Sequence, residues 1–496
     1  MLATGAMFKK VLIGNRGEIA VRVARTLREM KIASAAVYTD VDRTSLHARF
    51  TDEAYSLGED PRAYLDAERL IAVALAAGCD AVHPGYGFLS ENAPFAEACA
   101  ARGLTFIGPP PSAIHAMGSK ERARALMAEA GVPIVPGGDA RTLEEARATA
   151  QRIGYPVLIK ASDGGGGKGM RLVRTDAELE AALERTRSEA QKAFGSDAVY
   201  IEKAIENARH VEVQVLGDRE GNLIHLFERD CSLQRRHQKV VEETPCPALE
   251  QKTREALCDV AVKGAKSIGY HSAGTFEFLL AEDGSFYFLE MNTRLQVEHP
   301  ITELVTGVDL VREMVRVAAG EALGMDGVQT RGAAIEARVY AEDPASGFLP
   351  CPGTITHLRA PAGPFVRDDG GVYAGMTVSP HYDPLLSKLC VWAPTRDLAL
   401  ARLSRALGEY LVSGVVTNLI FLESLIASEE VQAGRYDTLF IERERERLTK
   451  ACPPPAIEPA LLAAALAVDL SRRDQTPKGA ASELPPWLAQ HRAGLR

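Results

Sequence analysis

The chain has 496 residues and a net charge of −9, with 46% hydrophobic, 25% charged and 6% aromatic residues. At roughly 150 residues per domain this is chain enough for about three domains, each able to bury its own core without disulfides or metals. The composition excludes a disordered or fibrous chain. The acidic balance excludes a general nucleic-acid binder, so any anionic ligand must be held by local basic clusters.

No apolar run approaches the ~18 residues that a membrane span needs. The opening MLATGAMFKK is not a secretory signal, and Met7 reads as the start, with residues 1–6 an extension. The eight cysteines are scattered, with no CxxC and no zinc spacing, which predicts reduced thiols in a cytoplasmic protein.

In chain order, Lys10 to Ile13 predicts a strand, followed by Gly14-Asn15-Arg16-Gly17 and a helix to about Met30. Ala33 to Tyr38 is a second strand. Helical stretches near Tyr64 to Ala77 and Pro94 to Arg102 alternate with short strands at Ala81-Val82 and Thr105-Ile107. This alternation predicts a doubly wound α/β domain. A helix from Ser119 to Ala130, with Ser119 as N-cap, precedes a Pro/Gly-rich hinge at 131–138. Residues 140–205 predict helix, strand, glycine loop, strand, helix, strand. From 206 to 330 the chain is strand-rich and then helical, and a third α/β segment begins near 333. A Pro-rich tail with a short Ala/Leu helix ends the chain. The expected domains are 7–118, 119–330 (with a lid subdomain at 132–205), 331–447 and a tail at 448–496.

The loop Ser162-Asp-Gly-Gly-Gly-Gly-Lys-Gly169 lies between two strands. Gly164, Gly166 and Gly169 satisfy GxGxxG formally, but a strand and not a helix follows. Gly169 after Lys168 also excludes a P-loop. What remains is a hairpin loop of bare backbone donors suited to polyphosphate. Lys160, on the preceding strand, is a point charge suited to phosphates, or else a solvated edge lysine.

The stretch from Gly274 to Glu298 carries the most chemistry. Asp283-Gly284 between apolar runs signals a hairpin. A two-residue turn there puts Glu277 opposite Glu290. Facing carboxylates repel unless a cation lies between them. With Asn292 on the same face they form a hard-oxygen set suited to Mg²⁺. The polar face then continues through Arg294, Gln296 and Glu298. A continuous strand would spread it over up to ~26 Å, with Arg294 gripping an anion, Glu298 as a base, and His299-Pro300 ending the strand. The basic run Arg229 to Lys239 reads alone as a solvated face, but the apolar Val240-Val241 and acidic Glu242-Glu243 that follow suggest a folded edge near a site, and Arg338 lies on an alternating strand facing either solvent or a cleft.

Together these residues resemble an ATP-grasp ligase, and most of all the biotin carboxylase family. IGNRGEIAVRV, HPGYGFLSEN, ERDCSLQRRHQKVVEE, GTFEF, EMNTRLQVEHP and AEDP carry the resemblance from about Phe8 to Glu446. It implies an α/β and α+β multidomain architecture: an ATP-grasp fold with an N-terminal doubly wound α/β domain and a C-terminal biotin carboxylase domain. It implies ATP, Mg²⁺ (or Mn²⁺), bicarbonate and carried biotin. By position, Lys120, Lys160, Glu202, Lys203, Ala204, Ile205, His210, Gln234, His237, Glu277 and Glu290 match ATP-contacting residues, with Gly166 and Gly167 in the lid loop. Glu277, Glu290 and Asn292 match metal ligands. Lys239, Arg294, Gln296 and Val297 match the bicarbonate site. Glu298 matches the base, and Arg338 the residue stabilising the biotin enolate.

The expected activity is biotin carboxylation through carboxyphosphate, the first half-reaction of an acetyl-CoA or acyl-CoA carboxylase, as in fatty acid biosynthesis. The alternative is another ATP-grasp ligase, forming an acylphosphate or carbamoyl phosphate. The only Met-Lys, Met30-Lys31, is not a biotinyl motif. The expected partners are therefore a separate biotin carboxyl carrier protein, a carboxyltransferase subunit and a second copy of the chain, with no nucleic acid and no membrane.

Overall fold

The structure, a computed structural model, describes residues 7–161, 170–450 and 466–467. The glycine loop 162–169, with Gly164, Gly166, Gly167, Lys168 and Gly169, lies outside the described residues, as does nearly all of the tail. The described residues up to Thr449 pack as one unit. The helix that opens at Arg445 runs to Lys450, past residue 447 where the tail was expected to begin.

The first sheet is parallel, in the order β3-β2-β1-β4-β5, with β1 Lys10–Ile13, β2 Ala33–Tyr38, β3 Glu53–Ser56, β4 Ala81–His83 and β5 Thr105–Phe106. Val11, Leu12 and Ile13 are fully buried, as expected of a strand covered on both faces. The short, half-exposed edge strand β3 was not anticipated. The helix expected from Tyr64 is split into a 3₁₀ turn, Pro61–Leu65, and a helix, Ala67–Ala76. Asp66 causes the break, its side chain accepting from the Arg69 N–H at 3.0 Å as an N-cap.

A second, antiparallel sheet runs β6-β9-β7-β8, with β6 Gly137–Asp139, β7 Val157–Ala161, β8 Met170–Val173 and β9 Val199–Lys203. Part of the expected hinge is thus an edge strand, Gly138 lying opposite Ile201. A Cβ on Gly137 would fall 2.5 Å from the Ile201 carbonyl, so only glycine allows the strands to close. Lys160 lies on β7, between β8 and β9, and is not an edge lysine.

The third sheet positions the site. It is antiparallel, with β10 Arg209–Gly217, β11 Leu223–Arg235, β12 Gln238–Thr244, β13 Ser272–Leu280, β14 Phe286–Asn292 and β15 Ala333–Tyr340. The strands Leu385–Ala393 and Val366–Gly370 complete the order β14-β13-β10-β11-β12-β15 and onward. The sheet crosses residue 330 without interruption, because β12 pairs with β15. Helix Gln251–Ser267 covers one face through Leu257, Ala261 and Ala265, which share a core with Phe276, Phe278 and Phe288. On the other side Leu295, Leu310 and Val311 share a core with Val11, Ile13 and Ile19 of the first sheet and its following helix, Gly17–Glu29.

One expectation fails here. The strand does not run to Glu298: β14 ends at Asn292, Thr293–Val297 is irregular, and His299–Thr306 is a helix. Pro300 sits in its first turn, where a missing N–H costs nothing. His299-Pro300 therefore opens a helix.

The join between the N-terminal helix and the C-terminal part is tight. A Cβ on Gly371 would meet the Glu18 nitrogen at 2.5 Å and the Gly17 carbonyl carbon at 2.9 Å. Backbone cannot yield as a side-chain tip can. Gly371→Ala should cost about 1–3 kcal/mol and lower the thermal unfolding midpoint. Gly118→Ala, which meets nothing within 4 Å, should leave that midpoint unchanged.

Candidate active site

The hairpin β13–β14 brings the two carboxylates together as the pairing argument requires: Glu277 is opposite Glu290, and Thr275 opposite Asn292. The turn differs from the expected one. Ala281 N–H donates to the Ser285 carbonyl at 2.8 Å, leaving a three-residue loop in which Gly284 has φ +82. A two-residue type I′ turn would need Asp283 at positive φ as well. A bulge between Glu277 and Phe278 absorbs the extra residue and restores the register.

Glu277 is buried and heavily satisfied. Its Oε1 accepts from Lys239 Nζ at 2.9 Å, Asn292 Nδ2 at 2.9 Å and Gln296 Nε2 at 2.8 Å. Its Oε2 lies 3.0 Å from His210 Nε2. Burial pushes its carboxyl up, but Lys239 and His210 outweigh burial and hold it well below the usual range. Glu290 moves the other way: burial and the charge of Glu277 raise it. A pair of facing carboxylates, one destabilised by the other, fits a hard divalent cation; the Asn292 amide beside them turns Nδ2 toward Glu277 and its oxygen toward Arg294.

Lys239, expected within the basic run, is the centre of the cluster. Its Nζ donates to Glu212 Oε2 at 2.5 Å, Glu277 Oε1 at 2.9 Å and Glu298 Oε1 at 2.6 Å. Glu298 also accepts from Arg338 Nη2 at 3.0 Å. Burial raises the Glu298 carboxyl, but Lys239, Arg338 and Arg229 together keep it well below the carboxylate range, hence ionised. Arg338 faces inward and is buried; its Nη2 also lies 2.5 Å from Glu242 Oε1. Glu242 sits opposite Glu336 on the next strand, and burial pushes it up to about 7 despite Arg338.

The polar ladder expected beyond Asn292 is folded into a cluster. Arg294 Nη2 donates to Asn292 Oδ1 at 2.8 Å, and its Nε donates to Glu91 Oε2 at 2.9 Å. Glu290, Asn292, Arg294, Gln296, Val297 and Glu298 line one cavity of about 750 Å³ with His210, His237, Lys239, Glu277 and Arg338. Asn15–Ile19, Tyr86–Phe88 and His381–Asp383 form its other walls.

Apart from His237, already placed in the cavity, the remaining candidates stand outside that lining. Lys160 ion-pairs with Glu202 on the small sheet. Lys203 Nζ donates to the carbonyls of Gly154 at 3.1 Å and Tyr155 at 2.9 Å, and Ala204 N–H donates to the Pro156 carbonyl at 3.1 Å. Ile205 is half-buried. Gln234 is buried opposite Lys239, and Lys120 opens the helix Lys120–Glu129. His237 shares a two-residue turn with Arg236, both at positive φ (64 and 50).

Sequence reasoning missed Arg229, which is fully buried and not on a solvated face. It makes five bonds: to Glu212 (2.5 Å), Gln214 (2.8 Å), Thr302 (2.9 Å), Thr275 (3.3 Å) and Gln296 (2.9 Å). A signal existed in the period-two polar series His210, Glu212 and Gln214 alternating with Val211, Val213 and Val215, Glu212 facing Arg229 across the ladder.

Comparison with known proteins decides the family. Residues 7–114 match the biotin carboxylase N-terminal domain, 119–325 the carbamoyl-phosphate synthase L chain ATP-binding domain, and 336–443 the biotin carboxylase C-terminal domain. The chain is 50% identical over 447 residues to the chloroplastic biotin carboxylase of Arabidopsis thaliana, covering 89% of this chain and 83% of that one. The chain belongs to the biotin carboxylase family.

Biotin carboxylase 1 of Bacillus subtilis is 49% identical over 88% of this chain and 98% of its own. Among solved structures, the biotin carboxylase domain dimer of Hydrogenobacter thermophilus 2-oxoglutarate carboxylase, in complex with MgADP, ADP and bicarbonate, is 47% identical. Its TM-score is 0.84, over 89% of this chain and 99% of that one. The biotin carboxylase–β,γ-ATP complex from Campylobacter jejuni is 46% identical with a TM-score of 0.84, over 88% and 99%. The ATP-grasp architecture expected from the sequence is therefore the family's. No helix among the described residues is long and apolar enough to cross a membrane.

Removing Arg229 would leave Glu212 with Lys239 alone and strand the amide oxygens of Gln214 and Gln296. Arg229→Met should destabilise the protein by about 3–5 kcal/mol. Arg229→Lys should fail to restore the thermal midpoint, since one ammonium cannot reach all the acceptors that the guanidinium spans.

Proposed function

We propose that this chain carboxylates biotin carried on a separate carrier protein or domain, using ATP, Mg²⁺ and bicarbonate, as the first half-reaction of an acyl-CoA or keto-acid carboxylase. The supporting observation is that one ammonium, Lys239, joins Glu277, the hairpin partner of Glu290, to ionised Glu298, itself bonded by Arg338, within one cavity.

Glu277, Glu290 and Asn292 would hold Mg²⁺, which supplies charge neutralisation for the ATP phosphates when bound. Lys120, Lys160, His210, Gln234 and His237 contact the nucleotide, with the edge Glu202–Ile205 against the adenine. Bicarbonate is a planar oxyanion suited to the Arg294 fork. Lys239, Gln296 and the Val297 backbone complete its site. Glu298 removes the bicarbonate proton, and the freed oxygen attacks the γ-phosphorus, giving carboxyphosphate and ADP. Carboxyphosphate breaks to CO₂ and phosphate, the phosphate takes the biotin N1′ proton, and the resulting enolate, steadied by Arg338, takes up the CO₂ at N1′. Enclosure matters because water would hydrolyse carboxyphosphate unproductively. The carrier, a carboxyltransferase subunit and a second copy of the chain are the partners this reading calls for, in the cytoplasm.

ATP hydrolysis that depends on bicarbonate and rises with free biotin tests the reading; stimulation by an amine instead would favour a carbamoyl-phosphate-forming ligase. Glu298→Gln should abolish bicarbonate-dependent ATPase activity while nucleotide titration shows ATP still binding, and near-normal turnover would remove Glu298 as the base. Glu277→Lys places a cation in the metal site and should abolish Mg-ATP binding by calorimetry; unchanged affinity would count against the metal assignment.

A further inference from the structure

Lys388 is a fully buried cation that the mechanism above does not use. It lies on the strand Leu385–Ala393, between Arg338 on one neighbouring strand and Asp369 on the other. A buried ammonium is tolerated only with close partners. Its Nζ donates to the Val297 carbonyl at 2.9 Å and lies 3.2 Å from Glu18 Oε2. The other oxygen of Glu18 accepts the Tyr86 hydroxyl. Nζ also sits 5.9 Å from the centroid of the Tyr86 ring. Lys388 is not among the cavity-lining residues, whereas Glu18, Tyr86, Val297 and Glu298 are.

The partner carbonyl matters because of where it sits. Thr293–Val297 is irregular, so no strand ladder orients the Val297 peptide. That peptide plane carries the Val297 C=O at one end and the Glu298 N–H at the other. Holding the carbonyl therefore holds the start of Glu298. One ammonium thus joins the N-terminal helix, the Tyr86 loop and the segment bearing Glu298.

We propose that Lys388, paired with Glu18, is a positioning residue for the carboxylation reaction: it orients the Val297 peptide and so places the Glu298 carboxylate and the Val297 backbone against bicarbonate. The inference rests on the bicarbonate and base assignments above.

Lys388→Met keeps most of the length of the side chain and removes its charge, and Lys388→Met/Glu18→Gln also removes the carboxylate left alone. In the folded double variant the KM for bicarbonate should rise, or turnover fall, by about 10- to 100-fold, the usual cost of misplacing a reacting group. ATP affinity by nucleotide titration should stay at the wild-type value. Glu18→Gln, whose amide oxygen still accepts from Lys388, should recover most of the activity. A purely structural role would lower the thermal midpoint without this split between bicarbonate and ATP. An unchanged bicarbonate KM and turnover, or equal losses for both substrates, would overturn the inference. If the Lys388 variants do not fold, Glu18→Ala carries the test, and a wild-type bicarbonate KM there overturns it too. Glu298→Gln run in parallel separates the layers. If it is inactive while the Lys388 variants are normal, only the positioning role fails; if it is active, the base assignment fails.

Discussion

Three buried carboxylates share one ammonium in this protein. Lys239 bridges Glu212, Glu277 and Glu298, and each belongs to a different segment: β10, β13 and the irregular connection after β14. Without Lys239 these like charges would repel across a desolvated space, where Coulomb terms are poorly screened. With it, the Glu212, Glu277 and Glu298 carboxylates are all held within 3 Å of one nitrogen. Lys239 itself is placed by the β11–β12 hairpin, whose Arg236–His237 turn accepts positive φ at both central positions.

Around that centre the charges alternate outward through buried partners. Arg229 takes Glu212 and Gln296, Arg338 takes Glu298 and Glu242, and Lys388 takes Glu18 and the Val297 carbonyl. Each cation reaches across from a different strand of the eight-stranded sheet. The sheet's continuity from β12 to β15 puts Arg338 in reach of Glu298, although about forty residues separate them in the chain. A site built from opposed buried charges is costly to desolvate and strongly destabilised by losing one member. Its residue types are consequently less free to vary than those of an apolar core.

Much of the fold was legible in the sequence. The strands β1, β2 and β4, the capped helix at Ser119 and the hairpin facing Glu277 with Glu290 all follow from local patterns: apolar runs, an N-cap and an Asp-Gly turn. The failures also have local causes. β3, Glu-Ala-Tyr-Ser, is too polar and too exposed to carry a hydrophobic signature. Gly137–Asp139 reads as a hinge because its strand character comes only from pairing with β9. The polar alternation from Glu290 to Glu298 imitates a strand, but hydrogen bonding to Glu277 and Glu91 draws it inward and a proline-containing helix start ends it.

The sequence by itself determined the family, the chemistry of the residues and the cross-strand meeting of two carboxylates, because these depend on residue type and short spacing. It left Arg229 as one charge in a basic run and Arg338 as facing either way. Only the tertiary structure decided that both point inward, that Lys239 joins three acids and that Lys388 holds the Val297 peptide. Those contacts link positions tens to hundreds of residues apart, and a buried charge is stable only where the whole fold brings its counter-charge to meet it.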